Sequence, residues 1–329
     1  MTFGEAPSRA RKRVKKGSIL VSTVRPNLNA VAILEEETPN VSVASTGFCI
    51  LDCKENVDER FVFDFCKSQS FIDEMVAQAT GASYPAVSDK IVRSALVPAY
   101  TYEEQCEISE VFDTVFDIIE KRKEELQNFD DLIKARFIEM FGDRWSNSMK
   151  WPSKPLSKVA EFNNGKPHEQ VVDENGNYVL VTSRCIASDG MDVRKTNEQL
   201  FPLISNDICM VMSDVPNGKA LAKCMLISEE GKYSLNQRIC CFRKYDYNPI
   251  FFYYLLNRHE YFLSFNDGDS QTNLRKGDLL ACPMILPPLK MQDEFADFVK
   301  QVDKSKAVVQ KSLDETQVLF DSLMQKYFG

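Results

Sequence analysis

The C-terminal end of this 329-residue chain repeats its own middle at one fixed offset. Gln105 and Glu107 return as Gln292 and Glu294. Val115, Leu126 and Leu132 return as Val302, Leu313 and Leu319, and Phe141-Gly142 returns as Phe328-Gly329. The separation is 187 residues throughout, without a gap over 38 residues, and the same register carries Gly81-Ala82-Ser83 onto Gly268-Asp269-Ser270. Two copies of one plan, each a mixed globular region closed by a long helix, imply a pseudosymmetric molecule with two similar faces for one extended partner.

Residues 103–142 read as one helix. Ile108, Val111, Val115, Ile118, Leu126, Phe129, Ile133, Phe137 and Met140 recur in steps of three or four and their multiples. Thr101 is the expected N-cap, Glu103 and Glu104 suit the dipole of the first turn, and Gly142 is the expected stop. The copy runs over 290–329, after Pro287-Pro288, through Phe295, Phe298, Val302, Val309, Leu313, Phe320, Leu323 and Tyr327. Each helix would extend for roughly 55 Å and bury only one stripe, so the expected partner of each is the other, in an antiparallel coiled coil.

Between the helices the chain looks β-rich. Tyr178–Val181, Ile208–Met212 and Arg238–Phe242 are short apolar runs, punctuated by Asn175-Gly176, Asp189-Gly190 and Asn217-Gly218. One helix is expected among them, capped by Asn248, opened by Pro249 and buried through Phe251–Leu256. Residues 1–102 echo these elements: Ile19–Ser22 resembles the strand at 208–212, Ser42–Ile50 the strand at 234–242, and Phe61–Lys67 the aromatic helix. The fold class is mixed α/β, organised as a partial first domain (1–102), a spacer helix (103–142), a complete second domain (143–289) and a second spacer helix (290–329). The register leaves the first domain without counterparts of residues 155–200. Either that copy is shortened or its start lies upstream.

Composition narrows the chemistry. No apolar run is long enough for a membrane span, and no signal peptide is expected at the basic start. Ten cysteines at irregular spacing, no Cys-x-x-Cys and only two histidines argue against a disulfide framework or a zinc site, so the thiols read as core residues in a reducing cytoplasm. The net charge of −8 is unevenly spread: residues 103–142 carry 12 acidic against 5 basic side chains. An acidic helix suits a protein-docking surface and leaves the globular regions free to face phosphate.

Four motifs in order, together with the repeated helix, resemble the specificity subunit of type I restriction-modification systems. Leu156–Lys166 matches a domain-opening Leu-x-x-x-Ala/Val pattern ending in Gly-Lys. Leu235-Asn236-Gln237-Arg238-Ile239 matches an Asn-Gln-Arg strand, Gly268–Leu274 a Gly-x-x-Gln-x-Asn-Leu turn, and Leu286–Gln292 the Leu-Pro-Pro-Leu-x-x-Gln entry to the helix. The first copy departs from the pattern, with Tyr84-Pro85-Ala86-Val87 in place of Gln-x-Asn-Leu. The resemblance implies two DNA readers for a split double-stranded target, a helical spacer setting their distance, and docking of methyltransferase subunits and a restriction/translocase subunit. It implies no catalysis, cofactor or metal of its own, and a cytoplasmic location. The alternatives are a specificity subunit whose partner fuses methylase and nuclease, and a coiled-coil adaptor that binds no DNA.

Candidate DNA contacts are polar residues where the copies differ or only the second exists: Arg184, Arg194, Lys195, Asn217, Lys219, Gln237, Arg238, Gln271, Asn273 and Arg275. Arg pairs with guanine and Asn or Gln with adenine, while Lys mostly holds phosphate. Gly81 and Gly268 are expected to shape a turn. The cluster Arg9, Arg11, Lys12, Arg13, Lys15 and Lys16 either touches phosphate or is an exposed chain end. The chain has no Gly-x-x-x-x-Gly-Lys-Ser/Thr loop. Asn248-Pro249 reads as a helix start rather than a methyltransferase motif, His168 as a solvated loop residue, and His259 as a dipole partner at a helix C-terminus.

Overall fold

The computed structural model describes residues 7–37, 39–215, 218–268 and 270–329. It has the mixed α/β character expected, with two long helices spanning Tyr102–Phe141 and Leu289–Phe328. Thr101 caps the first in a reciprocal box: its Oγ1 accepts the Glu104 N–H at 3.3 Å, while the Glu104 carboxylate accepts the Thr101 N–H at 2.8 Å. Gly142, at φ +74°, ends it by donating its N–H to Ile138 O at 2.8 Å. The repeat makes the same bond 187 residues later, from Gly329 to Gln325 O at 3.0 Å.

The chain divides into two compact units, 1–127 with 307–329, and 128–306, so each long helix contributes to both. In the first unit a three-stranded antiparallel sheet (Val31–Ile33, Ile19–Ser22, Phe48–Leu51) backs onto helices Glu59–Lys67 and Gln69–Ala77. A separate pair joins Ala10–Val14 to Ser42–Ser45. The core is built from Ile19, Val21, Cys49, Phe61, Phe65, Phe71 and Met75, closed by Ile108 and Phe112 of the first long helix and Phe328 of the second. Phe328 packs 5.1 Å from Phe61 and stacks 5.6 Å from Phe112.

The second unit uses the same clasp with the helices exchanged. Phe141, at the end of the first long helix, lies 4.7 Å from Phe251 of the aromatic helix Pro249–Leu256 and 5.7 Å from Phe295 at the start of the second. In each unit the beginning of one long helix therefore packs against the end of the other, which makes the pair antiparallel. The four-stranded antiparallel sheet of this unit runs Cys224–Leu226, Ile208–Val211, Ile239–Arg243, Glu161–Asn164. A three-stranded sheet places Tyr178–Val181 between Tyr233–Leu235, parallel to it, and Arg194–Thr196, antiparallel.

Three local expectations need correction. The region between the long helices holds not one helix but also Ser183–Ala187, Glu260–Leu263 and Lys276–Ala281. His168 is not solvated: it is buried, with Nδ1 donating to Lys166 O at 2.7 Å and Nε2 left to accept from Ser234 Oγ at 2.8 Å. A polar sequence context concealed a structural histidine. His259 sits not at a helix C-terminus but as N-cap of Glu260–Leu263, its Nδ1 accepting the Tyr261 N–H at 3.1 Å. Among the described residues no helix is long and apolar enough to cross a membrane.

Candidate nucleic-acid interface

The candidate residues of the second unit gather through strand ends. Asn236–Arg238 forms a turn between the Tyr233–Leu235 and Ile239–Arg243 strands, rather than the strand expected, with Arg238 at φ +71°. Next to it lies Met212, whose N–H donates to Arg238 O at 3.3 Å and whose carbonyl accepts the Leu274 N–H at 2.8 Å. The following residue, Ser213, pairs with Asn273 in a two-stranded ladder. Arg238, Ser213, Asn273 and Arg275 thus occupy neighbouring chain segments, with Arg238, Gln271, Asn273 and Arg275 exposed.

Arg184 and Arg194 lie on segments that meet the strand end beside this turn. Arg194 pairs with Leu180, at the end of its strand nearest helix Ser183–Ala187, which carries Arg184. Asn236 donates its N–H to Val181 O at 3.2 Å, drawing the Asn236–Arg238 turn to that strand end. Lys195 lies one step further along, opposite Val179. Gln237 is tied at its backbone to Lys166 O at 2.9 Å, and its side chain donates to Glu169.

Lys219 is held by its backbone. The Asp214 carboxylate accepts the N–H groups of Val215, Ala220 and Leu221 at 2.7–3.0 Å, and Arg258 donates to Lys219 O. Gly218 must lack a side chain, because a Cβ there would approach the Asp214 carboxylate to 2.2 Å. Asn217 lies outside the described residues.

Among the described residues, the side chains of Arg184, Arg194, Lys195, Lys219, Arg238 and Arg275 are exposed and form no ion pair or hydrogen bond within the chain. The nearby acid Asp214 is consumed by backbone donors. A surface of this kind offers fixed backbones, free cations and free amides, the combination that can hold phosphate and address base edges. Lys166 and Lys276, the latter with its ammonium 5.1 Å from the Phe162 ring, are further exposed cations on adjoining segments that the sequence alone does not single out. The Gly165-Lys166 step was the available signal for the first. In the first unit Lys12 of the basic cluster is engaged by Phe48 O and Asp89 at 2.7 and 2.6 Å, so it is not free for phosphate.

Two of the buried titratable groups are His259 and Asp64. Burial lowers His259 to about 4; its Nε2–H has no partner. Burial, helped by Asp113 and opposed by Arg60 and Lys67, raises Asp64 of the first unit to about 7, with one carboxylate oxygen unpartnered.

Known proteins resemble this chain in sequence and in fold. A specificity subunit of the type I restriction enzyme HindI, from Haemophilus influenzae, is 25% identical over 142 residues, covering 42% of this chain and 31% of that protein. The match therefore spans about a third of that relative's length. Two solved structures share the fold. One, described as showing complex assembly and conformational transition of the type I R-M system, has 21% identity and a TM-score of 0.53 over 98% of this chain and 84% of that one. The other, a type I restriction-modification S subunit from M. genitalium, has 16% identity and a TM-score of 0.55 over 97% and 84%. Residues 149–316, just over half of the chain, match the type I restriction modification DNA specificity domain model, and the chain belongs to that family.

Proposed function

We propose that the chain is the non-catalytic, sequence-specific DNA-recognition subunit of a type I restriction-modification complex, cytoplasmic, with methyltransferase and restriction subunits as its protein partners. The domains of 1–102 and 143–289 each read one half of a split double-stranded target, and the helices of 103–142 and 290–329 separate them and carry the partner subunits. The observation that supports this best is the run of unpaired Arg, Lys, Asn and Gln side chains on clamped backbones around the Asn236–Arg238 turn. Cations left unpaired by their own chain are poised to exchange counterions for phosphates. The strongly acidic first long helix is a poor surface for DNA and a suitable one for protein.

The test is binding of random-sequence and selected duplexes across a salt series, with Arg194→Ala and Lys219→Ala beside the native chain. Binding that weakens steeply with salt, with each substitution costing about 1 kcal/mol or more, is expected. A native chain that binds no duplex at low salt, yet still captures protein partners, would instead be the adaptor.

A further inference from the structure

The first unit reproduces the hydrogen-bond frame of this interface but places different side chains on it. In the second unit the frame runs Arg238 O, Met212, Leu274 N; in the first it runs Gly47 O, Thr23, Val87 N, at 2.9 Å on each bond. The Ser213–Asn273 pairing has its counterpart in the bridge between Val24 and Ala86. By the 187-residue register Ala86 stands for Asn273 and Tyr84 for Gln271, and along the frame Arg25 stands for Asp214. Gly81 and Gly268, at φ +106° and +80°, turn the chain alike just before it.

Gly47 and Ala86 thus put no polar side chain where Arg238 and Asn273 stand, and one pair lies beside them. Arg25 follows the bridge, in the left-handed region at φ 51°, with its N–H fixed on Pro85 O at 2.7 Å. Its guanidinium lies 4.7 Å from the centre of the Tyr84 ring, which is 68% exposed. Among the described residues no carboxylate pairs with Arg25. A cation held by a ring instead of an acid keeps its hydrogen-bonding edge free, and the ring limits the orientations it loses on binding.

We infer that Arg25 and Tyr84 form the DNA-reading pair of the first unit, Arg25 donating to a base edge in the major groove while Tyr84 holds its plane. Guanine, with two acceptors in line, is the base this fork fits. The inference rests on the DNA-recognition reading above.

The experiment selects preferred duplexes from a randomised pool with the full chain and three variants. Arg25→Lys keeps the charge but not the fork, so total affinity should stay within about threefold while preference at one position of the selected sequence falls about tenfold. Tyr84→Leu should weaken that same preference, and Tyr84→Phe should leave it intact. Both positions are exposed, and melting curves matching the native chain show that the fold is retained. An unchanged preference in Arg25→Lys, with the native chain selecting a sequence and Arg194→Ala weakening it, overturns the inference and leaves DNA recognition standing. A native chain that selects nothing overturns both.

Discussion

The side-chain oxygen of Gln105 accepts the backbone N–H of Asp58 at 3.0 Å, and that of Gln292 accepts the backbone N–H of Asn248 at the same distance. Each glutamine also donates, to Tyr100 O and Pro287 O, both at 2.9 Å. Asp58 and Asn248 are the N-caps of the aromatic helices, so one buried amide ties the start of each long helix to the helix it packs on. Replacing Gln292 with Leu would strand the Asn248 N–H and the Pro287 carbonyl in the interior, at a cost of about 2–4 kcal/mol. Gln105→Leu should cost a similar amount in the other unit. Hydrogen exchange read separately in the two units checks this, since a two-unit chain has no single unfolding transition. Equal loss of protection everywhere would contradict it.

Arg144 makes a second tie, within one unit only. Its guanidinium donates to Tyr254 O at 2.5 Å, Leu255 O at 3.2 Å and Arg258 O at 3.1 Å, and pairs with Glu260 at 3.0 Å. The first two carbonyls are among those freed by the end of the aromatic helix, and the third lies just beyond it. Arg144→Lys keeps one charge but cannot span three acceptors, so it should recover less than half of the roughly 2–3 kcal/mol lost by Arg144→Ala. Hydrogen exchange read in the second unit of the two variants is the measurement.

The glutamine pair shows what was legible beforehand and what was not. Gln105 and Gln292 are aligned by the exact 187-residue repeat, but their partners Asp58 and Asn248 stand 190 residues apart, and Phe61 and Phe251 likewise. The loops drift by three residues while the helices do not, because only the helices must keep a common packing register. The long helices followed from periodicity, the Thr101 and Gly142 caps of the first from residue type, and the strand at Ile208–Val211 from its apolar run. The placing of the Arg184 and Arg194 segments beside the Asn236–Arg238 turn did not, because it depends on a parallel pairing between segments some fifty residues apart. Local pattern does not encode such pairings.

The two units should respond to pH with opposite sign. Asp64 is raised from 3.8 to about 7 by burial, so between about pH 4 and 7 the folded first unit holds a proton that the unfolded chain has lost. Its contribution to stability falls as pH rises through that window, by up to about 1.4 kcal/mol per pH unit. His259 is lowered from 6.5 to about 4, so the unfolded chain holds the extra proton, and the second unit loses stability as pH falls through that range. Asp64→Asn should flatten only the first slope and His259→Asn only the second. Local hydrogen-exchange stabilities at pH 5 and 7 in the three proteins would show it, and slopes of the same sign would refute it.

Arg238 separates backbone strain from recognition. A non-glycine residue at φ +71° carries a penalty of about 1 kcal/mol that glycine would not. Its carbonyl still has to accept the Met212 N–H, so the turn itself must persist in any variant. Arg238→Gly should therefore fold as stably as the native chain, and Arg238→Ala no better than the native chain. Both remove the guanidinium, and both should lose about 1–3 kcal/mol of binding to the preferred duplex. Melting curves and duplex titrations on the same samples check the two orders independently. If affinity follows stability, with Arg238→Gly binding like the native chain, the guanidinium is not a contact and the turn acts only as scaffold.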